Sequence, residues 1–320
     1  MDTPFFDSLI DDFGIWQHTD GQNILTDEGY ALDDAARGLL VCLALKKTEQ
    51  AEVLFEYLRR SCHNTGFYGF ATAKHRFFQY PASDDATGQV VWAMGYAYSL
   101  GFHAKEAKAV IDGCLPCIMK FEHMRGYAYA LLGAIYIDKA LAKELVDKLL
   151  DFFNKTNSDW LWPESVMTYG NGILPYAFLR YGLVSNNETV SQFGLKVCEF
   201  VQKKCELNNR ILGPIGNDGW LSRAAHTVPA YSQQPIDAAY MIWAWLAVYE
   251  LFGQKKHYDL AKKWFCWFEG NNIQHERMFD PITLKCFDGI DKTGVHYHSG
   301  AESNICLLLT LNMLDRKTTI

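Results

Sequence analysis

QPIDAAYMIWAWLAVYELFG, residues 234–253, is the stretch on which the reading of this 320-residue chain turns. It opens on polar Gln234 and places one acid, Asp237, in what would be the first helical turn. From Ala238 to Tyr249 it carries no charged side chain. A surface helix keeps one apolar stripe, whereas a helix that is apolar all round is buried. The uncharged run is too short to span a bilayer. It therefore reads as a core helix with a polar start.

Stretches of the same kind begin near Tyr30, Asp84, Arg125, Glu164 and Glu302. Charge-rich amphipathic segments lie between them: Thr48–Arg60, Ala104–Met119, Leu141–Phe153, about Glu188–Lys204, and His257–Phe268. The first of these sets Val53, Leu54, Tyr57 and Leu58 on one face, with Thr48 as its expected N-cap. Ser83 is the expected cap of the second apolar stretch, and Pro175 is expected to kink the fourth. Strict alternation predicts an inner ring of helices wrapped by an outer ring. That is an all-α (α/α)6 toroid, one domain over residues 1–320, with Phe5–Phe13 closing the outer ring. An open solenoid would show similarity from repeat to repeat. The spacing is regular without a shared consensus, which favours the closed ring. Three longer connections remain. Asn64–Tyr80 is rich in Gly and aromatics. Asn208–Ser232 carries the turn signals Gly213-Pro214 and Gly216-Asn217-Asp218-Gly219, and Gly270–Ser299 reads as loop or short hairpin.

Composition narrows the function. A net charge of −7 with no Lys/Arg cluster excludes a nucleic-acid partner. The N-terminus lacks the basic and apolar regions of a signal peptide. The nine cysteines are scattered through apolar stretches, as reduced thiols of a cytoplasmic protein would be. Cys114 and Cys117 form a CxxC with neither a second pair nor a nearby His, and read as part of an outer helix. No GxSxG, dinucleotide fingerprint or P-loop occurs, and the histidines do not fall in metal-ligand register. No metal and no cofactor are expected. Aromatic residues make up 14% of the chain. Sugar rings lie flat on such side chains through their C–H faces, so an oligosaccharide is the expected partner.

The acids at the inner-helix starts carry the chemistry of this reading: Asp33-Asp34, Asp84-Asp85, Glu164, Asp237 and Glu302. The helix dipole alone favours an acid in a first turn. A dipole does not call for Trp160, Trp162 and Tyr169 around Glu164, or for Tyr231, Gln233 and Gln234 before Asp237. Two facing carboxylates are the minimal kit for cleaving a glycosidic bond. Glu164, with Trp160 and Trp162 as apolar neighbours, is the expected general acid, and Asp237 or Asp85 the base. Asp34, Arg37, Tyr169, Asn171, Gln233, Gln234, His298 and Glu302 are expected to hold sugar hydroxyls. Trp16, Trp92, Trp162 and Tyr231 are expected to stack on sugar rings. His18 and His298 either bind hydroxyls or form the acid/base pair of an epimerase.

Gly14-Ile15-Trp16-Gln17-His18 followed by Glu28-Gly29-Tyr30-Ala31-Leu32-Asp33-Asp34-Ala35-Ala36-Arg37 resembles the "GIxQH … EGYxxDDNAR" opening of a bacterial six-hairpin (α/α)6 carbohydrate-active family. The resemblance continues through Asp84–Gln89, Trp162–Ser165, Thr168–Pro175, Tyr231–Ala238, Phe287–Gly289 and Gly300–Ser303. It implies the barrel fold and a genetic setting beside mannoside phosphorylases or fused to glycosyltransferases. The implied activity is hydrolysis or phosphorolysis of a short mannose- or glucose-containing oligosaccharide. Ala35, Gln89, Gly170 and Asp237 depart from the family pattern, which implies altered specificity or a module that binds sugar without turning it over.

Overall fold

The structure is a computed structural model describing residues 1–207 and 211–320. The start of the expected loop Asn208–Ser232, residues 208–210, lies outside the described residues. Among the described residues, twelve α-helices carry the fold: α1 (Pro4–Ser8), α2 (Leu32–Ala44), α3 (Thr48–Arg60), α4 (Asp84–Ser99), α5 (Ala104–Ile118), α6 (Met124–Ala134), α7 (Lys139–Phe153), α8 (Ile173–Ser185), α9 (Glu188–Lys204), α10 (Pro235–Phe252), α11 (Lys255–Phe265) and α12 (Ala301–Arg316).

Burial alternates as the sequence predicts. Every residue of α10 from Pro235 to Val248 is buried, as is all of α6 and the run Ala86–Ala97 of α4. The neighbouring α3 and α11 bury only a stripe, Ala51, Leu54, Phe55, Tyr57 and Leu58 in one case and His257, Ala261 and Trp264 in the other. On α10 the buried Trp243 indole N–H donates to Thr310 Oγ1 at 2.9 Å.

One domain was expected, and the contacts divide the chain into two compact units. Met1–Leu149 with Ser299–Leu309 form the first, and Leu150–His298 with Thr310–Ile320 the second. In the first, α2 packs on α4 and α4 on α6, with α3 and α5 outside them. In the second, α8 packs on α10, covered by α9 and α11. Short two-stranded pairs sit at the helix starts, among them Tyr30–Ala31 with Phe70–Ala71 and Val166–Met167 with Leu221–Ser222.

Several local expectations change in detail. Ser83 caps α4, its Oγ accepting from the Ala86 N–H at 3.1 Å. Thr48 is not a cap: it is the first residue of α3, and Lys47 stands in the cap position. Pro175 does not kink the fourth inner helix. It is the third residue of α8, in a first turn that needs no N–H from it. That helix starts at Ile173, nine residues after Glu164. Among the described residues, no helix is long and apolar enough to cross a membrane.

The α4–α6 contact is the closest in the first unit, and glycines make it so. Gly88 and Gly95 on α4 face Gly126 and Gly133 on α6, each pair one heptad apart. A methyl group on Gly95 would run into the carbonyl of Gly133, and one on Gly133 into the carbonyl of Val91. Backbone cannot swing aside as a side-chain end can. Gly133→Ala is therefore expected to lower the unfolding free energy by about 3 kcal/mol or more, read as a shifted urea midpoint. Gly113, in α5 with open space around it, is the control: Gly113→Ala should leave stability unchanged or raise it by about 0.5–1 kcal/mol.

Candidate active site

The first unit gathers its acids around one guanidinium. Arg37, one turn into α2, is 1% exposed. Its Nη2 donates to Asp33 Oδ2 at 2.9 Å and Asp34 Oδ1 at 3.0 Å. Its Nη1 donates to Glu302 Oε2 at 2.7 Å, in the first turn of α12 and 265 residues away in sequence. Asp34 is buried, while Asp33 and Glu302 keep side-chain exposures of 36% and 38%. The accessible part of this cluster is therefore carboxylate, and three carboxylates share one positive charge.

The segment Trp16–Thr19 is laced to the start of α12. The Ala301 N–H donates to the Gln17 carbonyl at 2.9 Å, and Thr19 Oγ1 donates to the Ser299 carbonyl at 2.8 Å. His18 lies between these two anchors and is half-buried. Trp16, also half-buried, packs on Tyr30 with ring centroids 4.2 Å apart and planes tilted by 31°. Burial and the hydrogen bond to Asp11 push the Tyr30 phenol well above its usual range. Asp34, Arg37 and Glu302, expected from widely separated motifs, thus meet at the starts of α2 and α12, and the segment that carries Trp16 and His18 is tied to the same helix start.

Asp84 performs a joining role on the same unit. Its Oδ2 accepts from the backbone N–H groups of Glu122 and His123 at 2.9 and 3.0 Å, and from the His123 ring at 2.8 Å. This ties the start of α4 to the start of α6. That hydrogen bond raises the His123 pKa above the ordinary 6.5. Asp85, the next residue, is half-buried.

The second unit builds its polar end at the starts of α8 and α10. Asp237 is buried, and its Oδ1 accepts from the Gly170 N–H at 2.7 Å. A side chain is absent at Gly172 because a Cβ there would meet the α10 backbone at Tyr240 and Met241. Asn171 is buried too; its Nδ2 donates to the Thr168 carbonyl at 2.8 Å, and its Oδ1 is a buried acceptor without a hydrogen-bond partner. Gln234 accepts from Asn217 Nδ2 at 2.7 Å, and Asn217 in turn accepts from the Trp220 indole at 3.1 Å. Trp220 is 43% exposed and Tyr231 38%. Sequence reasoning passed over Trp220 and Asn217. The Gly216–Gly219 turn was the available signal, since it folds back on the segment that carries Tyr231.

Other expected residues stand differently. Trp92 and Trp162 are buried at 0% and 1%, so their rings are core rather than open stacking surfaces. Gln233 is wholly buried and used at both ends: it donates to the Ala230 carbonyl at 3.0 Å and accepts from the Trp267 indole at 2.7 Å. Arg37 and Asp34 face each other rather than solvent. Glu164 is exposed, in a bend; Trp160 donates its indole N–H to the Glu164 carbonyl at 2.8 Å but does not enclose its carboxyl group. Tyr169 and His298 are exposed. His298 sits with its ring 4.5 Å from that of His296.

No protein-family model matches the chain, and no curated protein matches it in sequence. Solved structures do match in fold. A cellobiose 2-epimerase from Bacillus thermoamylovorans is similar at a TM-score of 0.75 and 14% identity, over 98% of this chain and 95% of that one. A D-mannose isomerase gives 0.71 and 11%, over 98% and 94%. A GH76 α-mannanase from Bacteroides thetaiotaomicron gives 0.64 and 12%, over 97% and 93%. These are (α/α)6-barrel carbohydrate-active enzymes, and the chain has their fold.

The Arg37 cluster predicts an asymmetric mutational response. Arg37→Met leaves Asp34 buried without its counter-charge and is expected to cost about 3–5 kcal/mol of unfolding free energy. Glu302→Gln keeps a hydrogen-bond acceptor at a partly exposed position and should cost about 1 kcal/mol or less. Urea unfolding of both variants against wild type checks the difference.

Proposed function

We propose that this chain is a saccharide-processing enzyme that moves a proton on the reducing-end sugar of a short mannose- or glucose-containing oligosaccharide, as an epimerase or isomerase does. One observation carries the reading: the segment that holds His18 is anchored on either side of it to the start of α12, the helix whose first turn carries Glu302. An imidazole titrates near neutral pH and can act as base and then as acid. It would take the proton from the carbon next to the carbonyl of the open-chain sugar, with the electron pair moving onto the carbonyl oxygen. Return of a proton to the other face of that carbon, from a second acid on that side, gives the epimer; return to the former carbonyl carbon, with the hydroxyl proton of carbon 2 passing to the former carbonyl oxygen, gives the isomer. Glu302 and Asp33 would accept hydrogen bonds from sugar hydroxyls, and Trp16 would cover a ring face. An epimerase of cellobiose and an isomerase of D-mannose among the fold neighbours support this choice of chemistry.

Glycosidic cleavage by Glu164 with Asp237 or Asp85 is the second reading. The buried Asp237 and the acceptor Oδ1 of Asn171 favour it. The exposure of Glu164 weighs against it, because a general acid is kept protonated near neutral pH by enclosure in apolar surroundings. Three carboxylates on one guanidinium also weigh against phosphate as co-substrate at the first unit's polar end.

The two readings separate in one set of assays on cellobiose and mannobiose in D2O. Proton transfer predicts deuterium uptake at carbon 2 of an epimer or at carbon 1 of an isomer, and a fall in kcat/KM of about 100-fold or more in His18→Ala. Glu164→Gln should remain within tenfold of wild type. Release of monosaccharide that is abolished by Glu164→Gln and kept by His18→Ala would overturn proton transfer in favour of hydrolysis.

A further inference from the structure

Residues 64–82 form a hairpin that the proposed reaction does not use. Its composition is unusual: six of its nineteen residues are Phe or Tyr, and none is Leu, Ile, Val or Met. The turn Thr72–Arg76 closes it through the Thr72 N–H to Arg76 carbonyl bond at 2.9 Å, and the Phe78 N–H donates to the Phe70 carbonyl at 2.9 Å. Ala71 also pairs with Tyr30 and Phe70 with Ala31, so the hairpin continues a sheet that leads into α2. The Leu32 N–H, at the first residue of α2, donates to the Gly69 carbonyl at 2.9 Å. Phe70 is therefore one strand away from Ala31, two residues before Asp33.

The two faces of this hairpin differ. Facing inward, Phe77 packs on Tyr57 and Phe13, with centroids 5.3 and 5.8 Å away. At the tip, His75 stacks flat on Phe13 at 4.2 Å. These contacts hold the hairpin in place. Facing outward, Phe70, Phe78 and Tyr80 are 49%, 46% and 73% exposed. Cross-strand pairing puts Phe70 directly opposite Phe78 on the same face, with backbones roughly 5 Å apart. Tyr80 follows in the bend at 79–80, where the register slips by one residue between the Ala71–Phe77 and Tyr68–Pro81 bridges.

We infer that Phe70, Phe78 and Tyr80 form a distal stacking platform for a neutral oligosaccharide whose reducing end is processed at the starts of α2 and α12. The inference rests on the saccharide reading above and extends it from a disaccharide to a longer chain. Aromatic rings expose flat apolar faces that match the C–H faces of pyranoses. All of the hairpin's larger apolar side chains are aromatic, so its outward face offers flat rings and no branched aliphatic surface. Because the rings are held from beneath, stacking costs little further ordering.

Calorimetric titration with cellobiose, cellohexaose, mannobiose and mannohexaose tests the platform on the full chain. Wild type is expected to bind the hexaose of one series at least tenfold more tightly than its biose. The double variant F70A/Y80A should lose that advantage while its biose affinity stays within twofold. Tyr80→Phe, which keeps the ring, should keep the advantage. Both substitutions are at exposed positions, and an unchanged melting temperature verifies folding. Equal affinity for biose and hexaose in wild type, or an advantage that survives in F70A/Y80A, overturns the platform and leaves the saccharide reading intact. Wild type that binds none of the four sugars overturns both. A hexaose advantage unchanged in a double variant that has dissociated from dimer to monomer in sedimentation assigns the rings to self-association instead.

Discussion

A guanidinium that is 1% exposed has to find its counter-charges inside the protein. Arg37 finds them in Asp33 and Asp34 on its own helix and in Glu302 at the start of α12. Because a planar fork binds carboxylates in fixed directions, this arrangement sets where the last helix begins relative to the first core helix. The Gln17–Ala301 and Thr19–Ser299 bonds add to the same joint and bring Trp16 and His18 with them. What the first unit leaves open there is the exposed remainder of a charge cluster, the carboxylates of Asp33 and Glu302.

The other helix starts are aligned by smaller devices of the same kind. Asp84 spends its carboxylate on the start of α6, and Asp237 spends an oxygen on the backbone that leads into α8. An acid at a helix start is favoured by that helix's dipole. Here each also holds a second helix start, so the acids serve alignment before any chemistry. Glycine does the complementary work along the helix bodies, where Gly88, Gly95, Gly126 and Gly133 let α4 and α6 touch backbone to backbone. Polar ends are held together by charge, and helix bodies by the absence of side chains.

This division separates the acids by role. Asp34 and Arg37 are enclosed with each other, and Asp84 is committed to three donors. Within the Arg37 cluster, Glu302 and Asp33 are the carboxylates that keep exposed surface. Glu164 is exposed without an apolar enclosure.

Helix type and order were legible in the sequence because they depend on local periodicity: a run such as Ala238–Tyr249 without charge is buried wherever it packs. The cap at Ser83 and the acids at the helix starts were legible for the same reason, since a first turn is satisfied within a few residues. The positions of Asp34, Arg37 and Glu302 could be marked, but not their meeting, because 265 residues separate Arg37 from Glu302. Whether an aromatic ring is platform or core was not legible at all. Trp92 and Trp162 are covered while Trp220, Phe70 and Tyr80 are open, and nothing in their flanking residues distinguishes them. Local interactions decided which segments became core helices and where each began. Only the packing of segments distant in sequence decided which side chains were left with a free face.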